Sequence, residues 1–203
     1  GSEKNVLSRF YEVLKFSNAD AFIRVTADCP FLDHLLIKEL VDAFKREKVD
    51  YLSNCFPPTL PDGLDLEIFN KKSLILANKN CKNIDMREHV TQWIRESGKF
   101  KLGSKEYDPK NSNLRITLDE PEDLELIRTL IKNFNCDVDT SWHQIIDILN
   151  KNKEITKINS KFKRNEGIYM DQSQKMWRRA KRIIPGGNML LSKRPEMFLP
   201  NKW

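Results

Sequence analysis

Glycine is scarce in this chain, with 7 in 203 residues, and no glycine-rich loop of the kind whose backbone amides cradle phosphates can be found in it. Cysteine is scarce too. Cys29, Cys55, Cys81 and Cys136 are scattered without a C-x-x-C pair, and there are only 3 histidines, which argues against a zinc site or a disulfide framework and for free thiols. No apolar run approaches the roughly 20 residues that a membrane span needs, and the opening GSEKNVLSRF lacks the charged-then-apolar order of a signal peptide. A soluble, cytoplasmic protein with no membrane partner is expected.

Hydrophobic residues make up 39% of the chain, enough for a real core at this length. The net charge of +6 is unevenly distributed: residues 1–150 hold 21 Lys+Arg against 25 Asp+Glu, and residues 151–203 hold 14 against 4. A basic tail on an acidic body implies two units rather than one basic binding surface.

Apolar Val6, Leu7, Phe10, Val13 and Leu14 recur at helical spacing, so the chain opens into an amphipathic helix. The strand AFIRVT follows, and then a helix that Asp33 can cap. DYLSN and LDLEIF read as strands on either side of the turn CFPPTLPDG. Helical stretches come next at about 71–80 and 86–97, then a strand NLRITLD, then the helices EPEDLELIRTLIKNF and SWHQIIDILNKN. This alternation predicts an α/β fold with a mostly parallel sheet flanked by helices. Residues 1–150 form the expected domain. Residues 151–170, polar and aperiodic, read as a basic linker. Residues 171–203 carry a further helix with Met176, Trp177, Ala180, Ile183 and Ile184 on one face, stopped by PGG.

In open α/β sheets, ligands bind beyond the carboxyl ends of parallel strands. Asp28 closes FIRVTAD and Asp119 closes NLRITLD, so neighbouring strands would bring both to one rim. Such a pair either holds Mg²⁺, which neutralises their repulsion, or each acid caps the helix that follows. Asp62 and Gly63 turn the chain in LPDGLDLE, after which Asp65 and Glu67 share one side of a strand. These acids grip sugar hydroxyls, or help hold the metal, or form the solvent face of an edge strand. Arg87, His89 and Thr91 gather polar groups near a helix start, which suits an anion, with a structural histidine as the alternative. Arg24, inside a strand, either reaches a phosphate or carboxylate at the rim or pairs with an acid on a helix.

GSEKNVLSRFYEVLK, IRVTADCPFLD, DYLSN, LPDGLDLEIF, REHVT and NLRITLDEPEDLELI resemble, in order and spacing, the spore-coat polysaccharide type of cytidylyltransferase, related to the synthetases of CMP-sialate and CMP-3-deoxy-manno-octulosonate. The resemblance spans about residues 1–150 and implies a nucleotide-diphospho-sugar transferase-like fold. It also implies transfer of CMP from CTP to an acidic or amino sugar, with release of pyrophosphate, in surface polysaccharide synthesis. Asp28 and Asp119 match the positions that hold Mg²⁺, and Pro30 is expected to stop the strand so that Asp28 projects into the crevice. PDGLDLE and REHVT would border the sugar pocket. The family begins with a strand and a basic, glycine-containing loop, and nothing like them precedes Asn5. The resemblance therefore implies native sequence cut upstream, an exposed sheet edge, and little or no activity for this stretch alone. MWRRAKRIIPGGNMLLSKRPEMFLP resembles the entry segment of class III aminotransferases, which use pyridoxal phosphate; it ends before any cofactor-binding lysine and implies a bifunctional parent. Two other readings remain. One is a binding module whose Trp177, Arg178, Arg179, Lys181 and Arg182 hold nucleic acid, against which the scarcity of stacking aromatics argues. The other is an assembly piece whose tail docks on a neighbour, as in a homo-oligomer.

Overall fold

The computed structural model describes residues 2, 4–164 and 180. Most of these belong to one compact unit ending at Ser160. Helix α1 (Val6–Val13) starts where the Asn5 side chain accepts from Ser8 N–H, and a 3₁₀ turn, Leu14–Phe16, extends it. Strand β1 (Ala21–Arg24) follows. Asp33 then caps α2 (His34–Glu47) by accepting from Leu36 N–H, and left-handed Lys48 ends the helix. Strands β2 (Tyr51–Ser53) and β3 (Glu67–Asn70) flank the proline-rich turn. Asn70 caps α3 (Lys71–Asn80). After α4 (Ile84–Glu88), α5 (Gln92–Glu96) and β4 (Leu102–Ser104) come α6 (Pro121–Phe134), α7 (Trp142–Lys151) and α8 (Lys153–Thr156).

The sheet order is β1-β3-β2-β4. β3 runs antiparallel to both its neighbours, and β2 pairs with β4 in parallel. Thus β1, β2 and β4 point the same way and β3 runs against them, giving a mixed sheet between helical layers rather than a mostly parallel one. The α/β class holds. One sheet face, with Ile23, Leu52 and Ile68, packs on Leu36, Leu40, Leu126, Leu130, Ile145 and Leu149. The other, with Phe22, Tyr51 and Phe69, packs on Leu7, Leu74, Ala77 and Ile94. Side chains of this size each contribute about 1.5–3 kcal/mol when fully buried, so both helical layers are held chiefly by apolar contact.

Four expectations change. NLRITLD is no sheet strand: it runs extended and makes one isolated parallel bridge, Asp62 to Arg115. The expected helix 86–97 divides into α4 and α5 around Val90, whose φ is +56°. β1 ends at Arg24, six residues before Pro30, in a turn closed by Cys29 N–H donating to Thr26 C=O. The folded unit also continues past 150 into the expected linker: Ile155 and Ile158 pack on the first core, and Asn159 is buried. The tail at 171–203 lies outside the described residues apart from Ala180. Among the described residues, no helix is long and apolar enough to cross a membrane.

Gly63 sets the turn that positions the rim. Its φ is +107°, and a Cβ there would stand 2.5 Å from Thr117 N and 2.7 Å from Ile116 C. Strain and overpacking act together at this position. Gly63→Ala is expected to lose about 3 kcal/mol of stability in urea unfolding; a loss below about 0.5 kcal/mol would show that the turn is not closely packed.

Candidate active site

The turn after β1 is joined directly to the segment that carries Asp119. Leu118 N–H donates to Asp28 C=O at 2.9 Å, and Thr117 Oγ1 donates to the same carbonyl at 3.2 Å. The backbones that carry Asp28 and Asp119 therefore meet through loop-to-loop bonding, not as neighbouring strands. Cys29 shares this place. Its thiol lies 3.1 Å from Thr26 Oγ1 and donates weakly to Asp28 Oδ1. Burial, helped by the charges of Asp28 and Asp65, pushes the thiol up to about 12, so it stays protonated and is no nucleophile at neutral pH.

Asp119 and Asp62 meet on one guanidinium that sequence reasoning missed. Arg115 donates from Nη1 to Asp62 Oδ2 (2.8 Å), from Nη2 to Asp119 Oδ2 (2.9 Å), and from Nε and Nη2 to both oxygens of Asp123 (2.9 and 2.7 Å). Its side chain is 9% exposed. Burial alone would lower the arginine's pKa, but the three carboxylates raise it above its ordinary value. Asp123 is fully buried at the start of α6, where it also accepts from Asn159 Nδ2 and from the N–H groups of Asp119 and Glu120. Burial pushes Asp123 up, yet Arg115, Asn159 and these backbone donors hold it below 3.8. An arginine among apolar neighbours, followed by E-P-E-D at a helix start, was the available signal for this pair.

A second network centres on Glu67, which is not on a solvent face: its side chain is 5% exposed, on the sheet's inner strand β3. Arg24 Nη1 donates to Oε2 at 2.6 Å, while Tyr51 Oη (2.6 Å) and Thr91 Oγ1 (2.5 Å) donate to Oε1. Arg24, Glu67 and Thr91, each expected as a site residue in a separate motif, stand in one network, with Tyr51 added. Burial and the Glu67 charge push the Tyr51 phenol well above its ordinary value, so it remains a donor. Asn54 clamps the approach to β3, donating from Nδ2 to Leu64 C=O and accepting from Leu66 N–H, each at 2.8 Å.

Arg87 lies apart from both networks. Its guanidinium binds Asn5 Oδ1, Asn78 Oδ1 and the carbonyls of Asn78 and Cys81, tying α1, α3 and α4 together. These contacts are structural and leave little for an anion. His89 is half-buried at the end of α4, and its imidazole makes no hydrogen bond among the described residues.

Among the described residues, no group of three or more His, Cys, Asp or Glu side chains could hold a metal. The donor set instead fits an ion that takes one or two carboxylates and completes its shell with water and substrate phosphates, as Mg²⁺ does. Asp119 suits this, being 52% exposed with only Oδ2 bound to Arg115.

A sheet between helical layers, with acids gathered beyond the carboxyl ends of its co-directional strands, is the architecture of α/β nucleotide-handling proteins. Residues 1–164 match the cytidylyltransferase family, and the chain belongs to that family. It is 38% identical over 164 residues to an uncharacterised protein of Methanocaldococcus jannaschii, covering 79% of this chain and 65% of that one. It is 29% identical over 158 residues to the spore coat polysaccharide biosynthesis protein SpsF of Bacillus subtilis, covering 76% of this chain and 65% of the relative. A solved cytidylyltransferase from Leptospira borgpetersenii serovar Hardjo-bovis superposes with a TM-score of 0.72 at 29% identity, over 77% of this chain and 66% of that one. The chain thus spans just under two thirds of the length of these relatives.

Removing Arg115 would leave a buried carboxylate without its cation. Arg115→Met is expected to cost about 3–5 kcal/mol in urea unfolding. Because Asp123 is depressed below 3.8 in the folded state, its stabilisation is present above that value and lost as pH falls through the folded-state pKa. Stability plotted against pH should therefore slope less steeply below about pH 4 in Asp123→Asn than in wild type; equal slopes would show that Asp123 is not held ionised.

Proposed function

We propose that the complete protein transfers CMP from CTP to a sugar, with release of pyrophosphate, in the building of a surface polysaccharide. Family membership supports the reaction class, and the likeness to SpsF supports the polysaccharide setting. The observation that carries the reading is the hydrogen bond from Leu118 N–H to Asp28 C=O, which puts the Asp28 turn beside Asp119 at the rim.

A sugar hydroxyl oxygen would attack the α-phosphorus of CTP in line; the new O–P bond forms as the bond to the pyrophosphate oxygen breaks, and the hydroxyl proton is lost. This chemistry asks the protein for positioning and charge neutralisation rather than covalent catalysis. Asp28 and Asp119 would hold Mg²⁺, whose charge offsets that of the phosphates. Arg115 restrains Asp119 from one side and Asp62 from the other. Asp62, Asp65 and the 89–91 turn would border the sugar. Cytoplasmic nucleotide pools would supply CTP, and the aminotransferase-like residues 171–203 would join this step to a pyridoxal phosphate enzyme that installs the sugar's amino group.

The test is CTP- and sugar-dependent pyrophosphate release by the full-length protein during Mg²⁺ titration. Asp28→Asn and Asp119→Asn should each lower the saturated rate by about 100-fold or more and raise the Mg²⁺ concentration for half-maximal rate. Glu12→Gln, at an exposed site on α1, should leave both unchanged. Wild-type metal dependence in both aspartate variants would sink the assignment.

A further inference from the structure

Four residues at one register cross the whole sheet: Arg24 opposes Glu67, Glu67 opposes Ser53, and Ser53 opposes Ser104. Directly opposed residues share a face, so this is a continuous polar rung. It is also the last rung at the carboxyl ends of β1, β2 and β4. The next rung on the same face, Phe22, Phe69, Tyr51 and Leu102, is apolar except for the phenol that reaches back to Glu67.

Within the rung, hydrogen-bonding capacity is spent unequally. Both oxygens of Glu67 are engaged by three donors and the side chain is buried, so it has no edge left for a ligand. Arg24 is the reverse: 27% of its side chain is exposed, and only Nη1 is used, leaving Nε and Nη2 without hydrogen bonds among the described residues. Ser53 Oγ and Ser104 Oγ are buried and make no hydrogen bond of normal geometry. All of these groups can donate. Unspent donors beside a satisfied carboxylate suit an anionic oxygen group.

Thr91 joins this rung to a strained turn. Its N–H donates back to His89 C=O at 2.6 Å, closing a γ-turn around Val90, a β-branched residue with φ of +56° and no exposure. Left-handed backbone is costly for such a side chain and persists only where its surroundings hold it. Here the Thr91 hydroxyl bond to Glu67 and the burial of Val90 do so.

We propose that Glu67 is a positioning residue: it touches no substrate, and it fixes Arg24 and the 89–91 turn so that Arg24 receives an anionic oxygen group carried by the sugar acceptor. The acceptor part of this inference rests on the CMP-transfer reading. The role of Glu67 rests on the rung itself.

The experiment follows the Arg24 Nε–H resonance of the full-length protein, identified by its loss in Arg24→Lys, during titration with glucuronate, glucose 6-phosphate and glucose. CTP with Mg²⁺ is titrated in parallel. At least one of the two acidic sugars should shift the resonance and glucose should not, and the two acidic arms tell a carboxylate from a phosphate. Thr91→Val should keep the wild-type near-ultraviolet circular dichroism while weakening acidic-sugar binding about 5–10-fold, one hydrogen bond's worth. Thr91→Ser should restore binding to within about twofold. Glu67→Gln should behave like Thr91→Val, and if it does not fold, the Thr91 pair decides. Glucose shifting the resonance as strongly as the acids, no sugar shifting it, or Thr91→Val binding the acids as wild type does would each overturn the proposal. Loss of CTP binding in wild type with Thr91-dependent acid binding intact would instead overturn CMP transfer and leave the role of Glu67 standing.

Discussion

One guanidinium joins the parts of this molecule that the sheet does not reach. Arg115 binds the turn at Asp62, the rim at Asp119 and the first turn of α6 at Asp123, and Asn159 closes the set by donating to Arg115 C=O as well as to Asp123. The segment from Asn113 to Asp119 has too few ladder bonds to be held as a strand. Its bonds go sideways instead, from Asp62 N–H to Leu114 C=O, from Ile116 N–H to Asp62 C=O, and from Leu118 N–H to Asp28 C=O. Those bonds require Asp62 and its neighbours to stay where Arg115 holds them, and Gly63 must be a glycine for the chains to come so close.

How far the sequence was legible follows from the range of each signal. Helices α2, α3, α6 and α7 were readable because caps and 3.6-residue periodicity are local, and Asp33, Asn70 and Ser141 do cap as side-chain chemistry dictates. The direction of β3 was not readable, since its alternation of apolar and polar residues is the same whichever way its neighbours run. Nor was the fate of NLRITLD, where a strand-like pattern is served by loops. Strand β4, three residues long with an exposed Leu102, carries almost no pattern.

Among the candidate site residues, residue type was a better guide than role. Arg24, Glu67 and Thr91 were singled out separately and stand in one network, but Glu67 is at its buried centre rather than on a solvent face. Arg87 has the right chemistry for an anion and spends it on carbonyls and amides of two neighbouring helices. The partners Arg115, Asp123 and Asn159 lie up to 44 residues apart in sequence, a separation at which no local pattern can pair them.

The two polar clusters differ in what they leave unspent. Asp123 and Glu67 are both buried carboxylates, and each has its oxygens saturated by donors, the only condition under which burial of such a charge is tolerable. The rim is different. Asp28 and Asp65 both raise the Cys29 thiol, and Asp119 shares one arginine with two other acids while being half exposed, so several carboxylates meet there and one of them is open to solvent. Like charges about 4 Å apart repel by roughly 4 kcal/mol at the effective dielectric of a protein surface. A triphosphate brought to such a rim alone would be repelled. Brought with a divalent cation it would not be, and on the proposed CMP-transfer reading that is the part the acids of the rim would play.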